Sequence, residues 1–375
     1  MFRISYSGFN EKLKTGLANI SKLLSEGDFI ESPFDMPTEE SRGWDQDKYD
    51  DDRNFARQKL CISVEKIVDH GIRDISTVPF QPRLYYFLDG SLKTKYLGEY
   101  IEGDFSFPVI MSQTLCAVVK KDDTKLLKKA AEQKISIMFP SVDSGLIPNH
   151  LYTDLLELNK KWEKDKEPIR IEFLKKDEVR DIRYSMLGKT RSLMHDLEVS
   201  TALSLKRDKW LVIDGDLQKY NIGTITDVIG LAKSFSREPT FDLGKGGPQS
   251  ITRYLVQLGV GQRTSVFSSN TPDIAFWYIR LRNYPPMEPL GGIVKVEMNI
   301  KNYKMKGEEY LNSEGINLVD ELSAEIFSLR LPSLYPHPRW PSFIYPIRVC
   351  ELIMRSMYIN NDVMGYLGHL IKVGD

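Results

Sequence analysis

Two segments of this 375-residue chain end an apolar run in Asp-Gly: Tyr85-Tyr86-Phe87-Leu88-Asp89-Gly90-Ser91 and Trp210-Leu211-Val212-Ile213-Asp214-Gly215-Asp216. A carboxylate just past a buried strand sits at the rim of a sheet, where a rigid scaffold can aim it. Two such aspartates on adjacent strands are hard oxygen donors of the kind Mg2+ and Mn2+ prefer. Asp-Gly is also a common turn after a strand, and each segment taken alone is compatible with both readings.

A third carboxylate belongs to a long helical segment, residues 178–205, with a possible break at Gly188. At about 100° per residue, Leu187, Met194, Glu198, Ala202 and Leu205 share one face, while Asp196 projects from nearly the opposite side. Glu198 thus lies in an apolar stripe and must meet a metal, a cation or a hydrogen-bond donor, because an unpaired buried charge is costly. A salt bridge to a core arginine would serve equally. The helix is apolar on other sides as well, through Leu193, Leu197, Val199 and Leu203. Three carboxylates converging at one sheet edge are a donor set for metal-assisted phosphodiester hydrolysis, in which a cation polarises the phosphoryl oxygens, generates hydroxide and stabilises the leaving oxygen. Lys233 ends the apolar run Ile229-Gly230-Leu231-Ala232 and is a candidate to neutralise a phosphate nearby, or an ordinary strand-end lysine. Lys245, in Gly244-Lys245-Gly246-Gly247, is a candidate for contact with a DNA backbone, or part of a flexible surface loop.

Other chemistries find no support. Leu187-Gly188-Lys189-Thr190 resembles the end of a P-loop, but Arg183 occupies the first glycine position. No Gly-x-Ser-x-Gly elbow is present. His70, His150, His195, His337 and His369 are dispersed, and Cys61, Cys116 and Cys350 lack zinc spacing. Such scattered cysteines fit a reducing cytoplasm.

The elements that must position the acids mix strands and helices. Helices are predicted over residues 11–26, 54–70, 149–161, 248–258, 318–329 and from 347 to about 358. Strands are predicted over 84–89, 95–101, 108–119, 135–139, 169–174, 210–213, 228–235, 274–281 and 292–300. The order implies an α/β core with a mixed sheet and helical additions at the N-terminus. The division expected is an N-terminal helical and acidic-loop extension, 1–80, and a core domain, 81–375. The extension carries Asp45, Asp47, Asp50, Asp51 and Asp52, a solvated loop or a docking arm for a basic partner. With 41% hydrophobic residues the chain can build a large core, and with 27% charged residues at a net charge of −1 any basic surface must be local. No apolar run is long enough to span a bilayer and no secretory h-region opens the chain, so a cytoplasmic protein without a membrane is expected.

The order of these motifs resembles the NurA nuclease family. The resemblance rests on Leu88-Asp89-Gly90-Ser91, Glu198 on a helix ahead of Val212-Ile213-Asp214-Gly215, then Ile229-Gly230-Leu231-Ala232-Lys233 and the strand pair Phe276-Trp277-Tyr278-Ile279-Arg280-Leu281 and Ile293-Val294-Lys295-Val296-Glu297. It covers roughly residues 85–358. It implies an RNase H-like mixed sheet flanked by helices and a Mn2+- or Mg2+-dependent DNA nuclease. It further implies a homodimer working with a HerA-type hexameric ATPase in DNA end processing or anti-phage defence. Asp89, Glu198 and Asp214 would be metal ligands, and Lys233 would sit beside the substrate phosphate. The family's last helix bears a histidine that is lacking in Tyr345-Pro346-Ile347-Arg348-Val349-Cys350-Glu351-Leu352-Ile353. Glu351 or His337 would replace it; Glu351 could equally pair with Arg348 or Arg355 at helical spacing. A non-catalytic translocase partner that keeps the nuclease fold is the alternative.

Overall fold

The computed structural model describes residues 6–31, 60–122, 125–174, 182–217, 225–237, 239–243, 247–268, 273–283, 289–305, 310–332 and 340–360. Its helices are α1 (Tyr6–Leu24), α2 (Asn149–Lys164), α3 (Ile182–Ser204), α4 (Ile251–Leu255), α5 (Ser313–Ser328) and α6 (Tyr345–Arg355). Its strands are β1 (Asp28–Glu31), β2 (Leu60–Ile62), β3 (Ile72–Asp74), β4 (Leu84–Glu102), β5 (Phe105–Asp122), β6 (Lys125–Phe139), β7 (Ile169–Phe173), β8 (Trp210–Asp214), β9 (Val228–Ala232), β10 (Thr240–Asp242), β11 (Gln249–Ser250), β12 (Gln262–Thr264), β13 (Phe267–Ser268), β14 (Ile274–Arg280) and β15 (Ile293–Asn299).

The main sheet runs β3-β12-β14-β15-β9-β8-β4-β5-β6-β7. Its centre is an antiparallel meander, β4-β5-β6, extended by β8 parallel to β4 and β9 parallel to β8. That mixed order, with helices on both faces, is an RNase H-like architecture. Side chains alternate across each strand, and the two faces are covered differently. On one face Leu88, Cys116, Val118 and Ile213 meet Leu197 and Ala202 of α3. On the other, Phe87, Ala117, Val212, Ile229 and Trp277 meet Leu318, Leu322 and Ile326 of α5 and Ile347, Cys350 and Met354 of α6. The sheet interior is apolar on both sides, so a carboxylate there is conspicuous. Helix α1 buries Leu13, Leu17, Ile20 and Leu24, an i, i+4, i+7, i+11 stripe, with Leu151, Leu155 and Trp162 of α2. The boundary expected at residues 80/81 falls between β3 and β4, both strands of the main sheet. Among the described residues no helix is long and apolar enough to cross a membrane.

Several expectations are corrected. Strand β4 does not stop at Asp89; it runs 19 residues through Gly90 and Ser91 to Glu102. Asp89, Gly90 and Ser91 pair with Ala117, Cys116 and Leu115, so this Asp-Gly is part of a ladder rather than a turn. The helix expected over 54–70 is not formed by its described part, residues 60–70: Leu60–Ile62 is a strand parallel to β10, with Cys61 buried between exposed neighbours. Tertiary pairing supplies a period of two there that overrides the helical reading. Helix α4 starts at Ile251 rather than at Pro248, because Ser250 is its N-cap and accepts a hydrogen bond from Arg253 N–H. Helix α3 passes Gly188 unbroken.

The entrance to β4 depends on one buried acid. Glu325 of α5 accepts hydrogen bonds from the backbone N–H of Arg83 at 2.9 Å and of Leu84 at 3.2 Å, and from Lys121 Nζ at 3.3 Å. Glu325→Ala strands two backbone donors and an ammonium, so urea denaturation at neutral pH should register a loss of about 3–5 kcal/mol.

Candidate metal centre

Asp214 is the last residue of β8, and Asp89 follows Leu88, which pairs with Ile213 in the parallel β4–β8 ladder. The register therefore sets the two aspartates side by side. Behind Asp214 the chain turns at Gly215, whose φ of +118° favours glycine, and Gly215 N–H donates to Leu231 O at 3.0 Å. Helix α6 brings Glu351 to the same place. One carboxylate oxygen from each of Asp89, Asp214 and Glu351 lies within 4.8 Å of the others. Asp89 is buried and the other two are partly exposed, so the cluster opens toward solvent on one side.

Lys233, just beyond β9, closes the group from below. Its Nζ donates to Asp214 Oδ2 at 2.9 Å and to Glu351 Oε1 at 3.2 Å, and stands 4.7 Å from the centroid of the Phe343 ring. Arg348, one turn back on α6, donates to the second oxygen of Glu351. Glu351 thus pairs with Arg348 and also lies in the acidic cluster.

Glu198 takes a different place. It is buried on α3, in the stripe expected from the helical period. A Cβ built on Gly90 would lie 2.3 Å from its Oε1, so its carboxylate stands against Gly90, and strand alternation turns Asp89 to the opposite face. It is not among the three residues whose oxygens converge. Its Oε2 is 2.8 Å from His195 Nδ1. Lys245 and His337 lie outside the described residues. Sequence reasoning passed over His195, although its i, i+3 spacing to Glu198 places the two on one side of a helix.

The electrostatics follow from crowding. Burial is the largest cause holding the Asp89 carboxyl well above its usual 3.8, followed by the charge of Asp214; Glu351 and Glu198 push the same way and Lys233 opposes them. Burial works against the Lys233 ammonium, but Asp214, Glu351 and Asp89 outweigh it and raise its pKa. Burial raises Glu351 too, yet Lys233 and Arg348 prevail and lower it. An all-oxygen donor set with surplus negative charge fits a hard divalent cation such as Mn2+ or Mg2+.

No protein-family model matches the sequence, and no curated protein matches it. Among solved structures the chain is similar to the crystal structure of the NurA nuclease from Sulfolobus solfataricus, with 11% identity, 80% of this chain and 86% of that one covered, and a TM-score of 0.34. A likeness at that level assigns neither family nor activity. The fold class rests instead on the strand order, and the site on its own geometry.

Because the folded-state pKa of Asp89 is raised, its ionised form costs stability. The cost is present above the folded value and vanishes once pH falls below the unfolded value of about 3.9. Asp89→Asn should therefore melt higher than wild type in metal-free buffer at about pH 8, with the gain shrinking on acidification toward about pH 4. Added Mn2+ should reverse the order, since it stabilises only the chain that binds it. Scanning calorimetry with and without Mn2+ measures both effects.

Proposed function

We propose that this protein is a metal-dependent deoxyribonuclease, with the nuclease domain spanning 81–375 and residues 1–80 an extension. The observation that carries the reading is the meeting of Asp89, Asp214 and Glu351 from two parallel strands and a helix, with Lys233 bridging two of them. When bound, Mn2+ or Mg2+ supplies Lewis acidity and an activated water there. Asp89, Asp214 and Glu351 would hold the cation, with the Glu198 side chain across Gly90. Lys233 orients Asp214 and Glu351 and stands ready beside an incoming phosphate, with Lys245 a further contact to the DNA backbone. The partly exposed side chains of Asp214 and Glu351 leave a side on which a phosphodiester would approach.

DNA as substrate, a homodimer, a cytoplasmic setting and a HerA-type ATPase partner in end processing or anti-phage defence extend this reading through the motif resemblance. A second reading is a non-catalytic translocase partner. It is favoured by the two ion pairs of Lys233, which would also tie the acids together as a purely structural network.

Cleavage of linear single- and double-stranded DNA with Mn2+, with and without the ATPase, separates the two. The nuclease reading expects cutting that Asp214→Ala reduces by more than about 100-fold, roughly 2.7 kcal/mol of transition-state stabilisation, while the circular dichroism spectrum is unchanged. A folded Asp214→Ala protein that cuts like wild type removes the metal-site assignment. Absence of cleavage under every condition, together with stable co-purification with the ATPase, selects the second reading.

A further inference from the structure

Strand β15 is separated from β8 by β9, yet it reaches the turn behind Asp214. Glu297 of β15 is fully buried and sits opposite Gly230 of β9, which in turn pairs with Ile213 of β8. Its Oε2 accepts a hydrogen bond from Leu217 N–H at 2.8 Å, three residues past Asp214. Its Oε1 lies 2.7 Å from Lys295 Nζ, and the same ammonium stands 3.5 Å from Asp216 Oδ1 and 5.0 Å from the Phe276 ring centroid. Gly230 opens the passage between the strands. A Cβ there would lie 2.6 Å from Gly215 O and 3.2 Å from Leu217 N. Glycine is needed at 230 for close approach, since its φ is not in the left-handed region.

A buried lysine with two acids is poor material for a core. Apolar residues of similar volume often serve stability as well or better, because desolvating the charges offsets most of their attraction. The contacts of this group point instead to the turn 215–217: one hydrogen bond to Leu217 N–H and one ion pair to the Asp216 side chain, beside the gap at Gly230 that admits the Gly215 backbone. That backbone fixes the direction in which Asp214 leaves β8.

We propose that Glu297 and Lys295 are positioning residues that clamp the turn 215–217 and so hold Asp214 at its distance from Asp89 and Glu351 for a divalent cation. The inference rests on the metal-centre reading above and adds to it two residues that touch neither metal nor substrate. Residues that orient ligands in this way typically change metal affinity or activity by about 10–100-fold when removed.

The test uses the full chain and three variants. Lys295→Met/Glu297→Leu replaces the two fully buried charges together by apolar side chains and leaves only the partly exposed Asp216. Gly230→Ala keeps the clamp and pushes the turn. Glu297→Gln keeps an oxygen acceptor for Leu217 N–H. Hydrogen exchange of the metal-free proteins should show faster exchange over residues 215–217 in the first two. Free Mn2+, counted by electron paramagnetic resonance, should report affinity weaker by about 10–100-fold in both. DNA cleavage should recover as Mn2+ is raised, with KM for DNA unchanged. Glu297→Gln should stay within about threefold of wild type in each measurement, as expected where the acceptor matters more than the charge. A folded double variant with wild-type Mn2+ affinity overturns the proposal. So does weakened Mn2+ binding with unaltered exchange in the turn, or a Glu297→Gln protein as impaired as the double variant. Wild type that binds no Mn2+ and cuts no DNA, while the double variant still loosens the turn, instead overturns the metal-centre reading, and the clamp's role with it.

Discussion

Like charges held within a few ångströms repel, and the middle of this sheet is organised around keeping three carboxylates together despite that. At an effective dielectric constant of about 20, two unit charges 4 Å apart interact by about 4 kcal/mol. The fold resists with covalent and packing constraints rather than with charge alone. Asp89 and Asp214 are fixed by the β4–β8 ladder, whose flanking residues are buried on both faces. Helix α6, which carries Glu351, is anchored along its length. Cys350 Sγ lies 3.3 Å from Phe87 O in the middle. Past the C-terminal end, the Gln113 side chain donates to Met357 O and accepts from Ile359 N–H, both at 3.0 Å, and Lys93 Nζ donates to Ile359 O at 2.8 Å. Lys233 and Arg348 then offset part of the repulsion that remains.

The two Asp-Gly pairs show how far local sequence carries and where it fails. They look alike in the chain, yet the glycines answer different needs. Gly215 takes a positive φ and turns the chain, as the dipeptide suggests. Gly90 stays in the β ladder, and what it lacks is a Cβ that would strike Glu198. Only the partner on α3 distinguishes the two, and a partner more than a hundred residues away leaves no local trace. The aspartates were legible because both needs put a carboxylate after an apolar run. The length of β4 was not, since it is set by pairing with β5.

Periodicity carried the helices well wherever one face is buried. Glu198 was placed in the apolar stripe of α3 from spacing alone, and it is buried there. What spacing could not give was the side of the sheet to which that stripe belongs, and hence the separation of Glu198 from the three converging oxygens. Residues 60–62 were misread for a related reason: a short run beside Val64 and Ile67 fits a helix until Thr240–Asp242 offers it a parallel partner. The acidic run at residues 45–52, Lys245 and His337 lie outside the described residues, and the proposed partners rest on the motif resemblance.

Charge balance distinguishes the candidate centre from another buried ion network, at the β12 end of the sheet. There Glu65 and Asp320 face Arg263 and Arg73, two anions against two cations, and Glu65 also accepts Val266 N–H at 3.1 Å. That group is neutral and satisfied, as a structural network should be. Around Asp89, Asp214 and Glu351 three carboxylates share Lys233 and Arg348, while Glu198, across Gly90, lies 2.8 Å from His195 Nδ1. The crowding shows in Asp89, whose carboxyl is held well above its usual value by burial and by the charge of Asp214. The group lies where β8 and β9 end, where α6 packs, and where Asp214 and Glu351 stay partly exposed. A divalent cation would relieve that crowding; the neutral Glu65–Arg263 group has no such need.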